Sequence, residues 1–164
     1  MNRIRRGAPD VLAATDPTRR IHYVPPGGGP CLTDARQEMH VKLTAIESGG
    51  ELTVIENRIS PQTGPPLHVH AHENEAYYVL EGEFEFTSGD DTVRGGPGTF
   101  VHSPRGIPHR YFNLGTTPGR LLFSFTPGGI ESFFQELVDK NATDPQTMTT
   151  IASAHGIQIL APAR

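Results

Sequence analysis

Between residues 40 and 126 the chain alternates apolar and polar positions in short runs, each closed by glycine, proline or a polar cluster. Side chains two apart share one face of a strand, so a period of two predicts half-buried strands. Residues 40–47 alternate up to the Ser48-Gly49-Gly50 turn, and residues 52–59, rich in β-branched side chains, follow as a hairpin partner. Further strands are expected around His68 and His70 and at 76–80, 83–87, 92–94, 99–102, 109–113 and 120–126, with a tight turn at Ser88-Gly89-Asp90-Asp91. In 83–87 the acids Glu83 and Glu85 alternate with Phe84 and Phe86, acid outside and aromatic inside.

The period changes after Pro127-Gly128-Gly129. Ile130, Phe133, Phe134, Leu137 and Val138 recur at helical spacing, an amphipathic helix with one apolar stripe. Asp144-Pro145 reads as an N-cap followed by proline at the first helical position, opening a second helix with Met148, Ile151 and Ala152 inward that stops at Gly156. The stripe of these helices is expected to lie as a lid on one end of the β core. Residues 1–39 carry no sustained period: 11–14 allow one helical turn, and Pro25-Pro26-Gly27-Gly28-Gly29-Pro30 breaks whatever precedes it. Three segments follow: an N-terminal arm or edge segment (1–39), an all-β unit (40–126) and a C-terminal helical extension packed on it (127–164).

Composition narrows the class. One domain of 164 residues buries roughly 70% of its unfolded surface and needs no disulfide framework. The single Cys31 cannot pair within the chain and fits a reducing compartment. The basic start with Arg3, Arg5 and Arg6 is followed by no apolar segment of a secretory signal, and no apolar run is long enough to cross a bilayer, so a cytoplasmic protein is expected. A net charge of −4 with both signs interspersed argues against nucleic acid.

Candidate chemistry concentrates at residues 64–75. His68 and His70 stand two apart in a strand and face one point; Glu75 reaches the same point if Ala71-His72-Glu73-Asn74 turns the chain. Neutral imidazoles with a hard carboxylate suit a divalent first-row metal, whereas a closed structural zinc site is usually richer in thiolate. His72 is expected in the turn facing solvent, and His22, His40, His102 and His155 are read as structural. By parity, Tyr77 shares a face with Glu75, and Tyr111 and Asn113 share one with His109; with Phe84 and Phe86 they are candidate substrate-lining residues. Arg105 and Arg110 are candidates to meet an anionic substrate at the mouth of the β unit.

These motifs resemble those of the cupin superfamily. His68-Val69-His70, four residues, Glu75, six residues and Gly82 resemble its first motif. Gly98, five residues, Pro104-Arg105-Gly106, two residues, His109, three residues and Asn113 resemble its second, fifteen residues after the first. One departure stands at Gln62, where the family often has glycine six positions before the first His; Gly64 is expected to serve the same turn. The resemblance implies an all-β jelly-roll barrel over 40–126 with one divalent transition metal ion (Fe, Ni, Co, Mn or Zn) held by His68, His70, Glu75 and His109. The wording from Pro65-Pro66-Leu67 through Tyr77-Tyr78-Val79-Leu80-Glu81-Gly82-Glu83, with the helical tail, is most similar to quercetin 2,3-dioxygenase-like cupins. That similarity implies a dioxygenase acting on an enolic or phenolic small molecule, with Glu75 as ligand and catalytic base. A non-oxidative metal-dependent isomerase, lyase or polyketide-type cyclase ranks second, and a binding or sensor barrel without catalysis third. A homodimer is expected, using the arm and outward positions such as Tyr78 and Leu80.

Overall fold

In the computed structural model, residues 21–34 and 36–161 are described. The helical turn expected at 11–14 and the Arg3, Arg5, Arg6 cluster lie outside them. Two antiparallel sheets face each other. The larger is built from β1 (Cys31–Thr33), β2 (Gln37–Leu43), β3 (Thr53–Ile59), β10 (Gly119–Thr126), β5 (Asn74–Glu81) and β8 (Phe100–Ser103), in that spatial order. The smaller runs β11 (Ile157–Ala161), β4 (Leu67–His70), β9 (His109–Asn113), β6 (Phe84–Ser88) and β7 (Asp91–Gly95). This is the jelly-roll arrangement of the expected barrel, with aromatic rings from both sheets interleaved between them. Ile55, Val79, Phe84 and Leu121 are fully shielded, and Tyr77 packs edge-on to Phe123 at 5.4 Å.

Where local chemistry competes with alternation, local chemistry wins. The strand expected through Glu47 stops at Leu43, because Thr44 caps the short helix α1 (Ala45–Ser48) and Glu47 reaches back to the Thr44 N–H at 2.8 Å. That reciprocal capping box satisfies donors a strand would leave at the sheet end. Glu85 is covered as well as outward-facing: Arg94 donates to its Oε2 at 2.9 and 3.1 Å, leaving its side chain 11% exposed. Gln62, at φ 53°, takes the left-handed position itself, while its amide donates to the carbonyls of Leu114 (2.6 Å) and Gly115 (3.1 Å). Gly64 does not serve that turn. Its role is close approach, since a Cβ there would stand 2.1 Å from the Tyr111 carbonyl oxygen.

Both sheets extend past the segment edges expected from periodicity. Strand β1 and the start of β2 fall upstream of residue 40 and join the large sheet. Beyond the helices α2 (Glu131–Asp139) and α3 (Pro145–Ala154), β11 returns to pair with β4, placing Ile157 opposite His70 and Ile159 opposite His68. Its apolar alternation at Ile157 and Ile159, directly after Gly156, was the signal for a strand. The start of α2 is anchored by Glu131, which accepts from the Ala45 N–H at 2.7 Å and from the Thr53 hydroxyl. Asp144 caps α3, accepting from the Thr147 N–H at 2.8 Å, with Pro145 in the first turn. Tyr78 is 44% exposed on the outer face of the large sheet, beside Phe100 at 65%. Among the described residues no helix is long and apolar enough to cross a membrane.

Candidate metal centre

The two sheets bring their ligands together from opposite sides. Strands β4 and β9 pair through one residue couple, His68 opposite His109, and His70 follows two residues along the same inward face. Glu75 comes from the other sheet, where β5 places it opposite Phe125 and Ser103. The short bend at 71–73 carries the chain from one sheet to the other. His68, His70, Glu75 and His109 each offer a donor atom, and the four atoms lie within 4.8 Å of one another.

The outer nitrogens of the rings decide what the inner ones can do. His68 Nδ1 stands 2.9 Å from the Pro66 carbonyl oxygen, and His109 Nδ1 stands 2.8 Å from that of Ile107. A carbonyl only accepts, so Nδ1 carries the proton and the Nε2 of each neutral ring presents a bare lone pair inward. His70 Nδ1 is held in the same sense by the Glu73 carboxylate at 3.3 Å. Lone pairs therefore face each other: His68 Nε2 is 3.2 Å from His70 Nε2, and Glu75 Oε2 is 3.0 Å from His109 Nε2 and 3.5 Å from His70 Nε2. Such a cluster is repulsive unless a proton or a cation sits within it. Ligands about 2.1 Å from one ion at tetrahedral or octahedral angles are separated by roughly 3.0–3.4 Å. The donor set and its spacing fit a divalent transition metal.

Electrostatics point the same way. Burial, followed by the neighbouring His109, lowers the His68 pKa to about 4, so this ring is neutral across the physiological range. Burial opposes charge on both Glu75 and His109, yet a proton held between Glu75 Oε2 and His109 Nε2, in the place an ion would take, prevails, keeping the carboxyl below its usual range and lifting the imidazole above its own. The hydroxyl of Tyr77 is buried beside Glu75 and Ser103. Burial, with the Glu75 charge nearby, pushes its pKa well above the ordinary phenol value.

A cavity of about 130 Å³ opens onto His68, His70 and Glu75. Its walls are apolar, with Phe123 and Phe125 from the sheet and Phe133, Phe134, Leu137 and Met148 from α2 and α3. The apolar stripe of α2 packs on the core, and its phenylalanines line the cavity. Of the residues expected to line it, Tyr111 does and Tyr77, Phe84, Phe86 and Asn113 do not. Phe84 and Phe86 lie deeper among the barrel aromatics, and Tyr77 packs against Phe86. Asn113 is consumed by structure, donating to the carbonyls of Ile59, Ser60 and Thr117. Arg105 donates to the carbonyl of His72 at 3.4 Å, and neither it nor Arg110 lines the cavity. The lip is instead made by Asp34, Arg36 and Gln37 at the β1–β2 turn, a segment without periodicity in the sequence. His72 and His102 are exposed. Two features were missed by spacing alone: Glu73 behind His70, and a grouping of His40 with Cys31 and Glu38.

Comparison with known proteins agrees with this architecture. Residues 56–125 match the family model described as the cupin domain. Quercetin 2,3-dioxygenase of Bacillus subtilis is 31% identical over 72 residues, which is 44% of this chain and 21% of that protein. The match therefore spans about a fifth of the curated relative's length. An RmlC-like cupin from Shewanella frigidimarina superposes with a TM-score of 0.59 at 16% identity, over 69% of this chain and 96% of that one. A predicted oxalate decarboxylase from Thermotoga maritima gives 0.53 at 25% identity, over 56% and 80%. With two facing antiparallel sheets and the matched segment running from β3 through the His-rich strand to β10, residues 56–125 carry a cupin domain.

Proposed function

We propose that the chain is a metal-dependent cupin oxygenase, a quercetinase-like dioxygenase acting on an enolic or phenolic small molecule. One observation carries the reading: inward Nε2 lone pairs of His68, His70 and His109 meet the Glu75 carboxylate at the edge of an apolar cavity. The similarity to quercetin 2,3-dioxygenase supports the substrate class. A divalent iron, nickel, cobalt, manganese or zinc ion held by these residues would supply Lewis-acid attraction for an enolate or phenolate oxygen and, where the metal is redox-active, a partner for O2.

The protein's own groups prepare the substrate. Glu75 is ionised at neutral pH, because the His109 hydrogen bond and the imidazoles around it outweigh the cost of burial. It is the base that takes the acidic hydroxyl proton as the substrate enters. Tyr77, held protonated by its burial beside that carboxylate, cannot compete for the role. Phe123, Phe125, Phe133 and Phe134 exclude water and offer ring faces to an apolar body. A cavity near 130 Å³ is close to the roughly 150 Å³ space that accommodates benzene. A space of that volume suits a single ring.

The test is metal content and oxygen uptake, measured together on the wild type and on Glu75→Gln. Expected is about one metal ion per chain in both, with kcat for an enolic or phenolic substrate reduced roughly 10²- to 10⁴-fold in the variant. Full turnover by metal-loaded Glu75→Gln would remove Glu75 as the base. A second reading, a non-oxidative metal-dependent cupin, is favoured by the likeness to the Thermotoga protein described as a predicted oxalate decarboxylase. Turnover that persists under strict anaerobiosis would select it.

A further inference from the structure

The hairpin of β1 and β2 carries a second set of metal-ligating side chains, on the face turned away from the barrel core. Leu32, Met39 and Val41 point inward and are buried, so Cys31, Glu38 and His40 share the outer face. Cys31 is the direct cross-strand partner of His40, and Glu38 lies two residues before His40 on the same strand. Register and period therefore place a thiol, an imidazole and a carboxylate side by side. One donor atom from each lies within 4.8 Å of the others.

We propose that Cys31, Glu38 and His40 form a binding site for a borderline-soft divalent cation, Zn²⁺ above all. A thiolate, an imidazole and a carboxylate fill three corners of a tetrahedron, with water for the fourth. Sulfur and nitrogen donors select against Mg²⁺ and Ca²⁺, which require oxygen. The ligands are already turned toward one another: His40 Nε2 is 2.8 Å from Glu38 Oε1, while its buried Nδ1 has no partner among the described residues. The Thr33 hydroxyl is 3.4 Å from Cys31 Sγ and can donate to the thiolate once the metal has displaced its proton to solvent. Side-chain exposures of 21% for His40 and 46% for Glu38 let an ion enter without moving the core.

The location gives the site a consequence. The turn that joins β1 to β2 carries Asp34, Arg36 and Gln37, which form the lip of the barrel cavity. An ion across Cys31 and His40 clamps the open end of the same hairpin, cross-linking the edge strand β1 to β2 and steadying the lip. None of these ligands belongs to the barrel centre, so the site is independent of the proposed oxygenase chemistry.

Cys31 is the chain's single cysteine, so its alkylation rate by iodoacetamide reports on this site alone, whatever the barrel holds. With the barrel centre loaded first, added Zn²⁺ is expected to slow alkylation about tenfold or more, as ligand engagement withdraws the thiolate. Mg²⁺ should have no effect, and both His40→Ala and Glu38→Gln should lose most of the protection. Equilibrium dialysis should show one more zinc per chain in the wild type than in Cys31→Ser, an exposed substitution. Equal alkylation rates with and without Zn²⁺, or protection undiminished in His40→Ala, would overturn the site.

Discussion

His70 is oriented from behind by a carboxylate that motif spacing does not single out. Glu73 is 8% exposed and its Oε2 lies 3.3 Å from His70 Nδ1, so the ring is held with Nε2 inward. Partners of this kind fix the tautomer and orientation of a metal-binding imidazole, and their loss typically costs 10- to 100-fold in affinity. Glu73→Ala is therefore expected to weaken metal binding by about that factor in a chelator competition. Glu73→Gln, whose amide oxygen still accepts from Nδ1–H, should lose less. An equal loss in both variants would mean that charge, not orientation, is what Glu73 contributes. Gln62 shows residue-scale compensation of another kind. A left-handed φ of 53° disfavours a side chain, and two amide hydrogen bonds to the 114–115 backbone offset that cost.

At the scale of elements, the C-terminal segment shapes the cavity as much as the strands do. Helices α2 and α3 present Phe133, Phe134, Leu137 and Met148 to it, and β11 adds Ile157 and Ile159 while backing the strand that carries His68 and His70. Strand β11, which backs it, follows directly on α3, and Asp144 caps the start of that helix. The Thr147 N–H hydrogen bond holds the Asp144 pKa below its ordinary value of 3.8. A carboxyl depressed in the folded state stabilises fully above its unfolded pKa and loses that contribution as pH falls through the folded one. Asp144→Ala should lower the melting temperature by about 2–4 °C at neutral pH. The difference between variant and wild type should shrink below the ordinary carboxylate pKa, as thermal scans across acid pH would reveal. A gap that stays constant into strong acid would show that the Asp144 charge does not act through the cap. The capping box at Thr44 and Glu47 makes the complementary point: a few side-chain bonds ended a strand that alternation alone would have continued.

For the whole molecule, the centre ties the two sheets together. Three ligands belong to β4 and β9 and the fourth to β5, so an ion there bonds across the core. Binding to the folded state alone stabilises it by about 2.7 kcal/mol at one hundred times the dissociation constant. In a domain of this length that is a rise of roughly 5–10 °C in melting temperature. Addition of the native metal should produce such a rise, EDTA should reverse it, and His109→Ala should abolish it. A melting point indifferent to both metal and chelator would argue against a closed centre.

Much of this was legible in the chain because it is local. The two-residue period places His68 and His70 on one face, the turn chemistry at 71–74 returns Glu75, and Asp144-Pro145 caps and opens a helix. Strand spacing and the two motifs were enough for the all-β barrel and for the four residues that converge. What sequence alone could not decide depends on contacts between distant segments. Parity tells inward from outward, but not how deep an inward residue lies; so Tyr111 lines the cavity while Phe84, Phe86 and Tyr77 fill the core. The lip of Asp34, Arg36 and Gln37, the strand β11 behind the histidines and the meeting of Cys31 with His40 all arise from pairing register between segments. Periodicity carries no term for that register, because it records which side of one element is apolar and not which other element covers it.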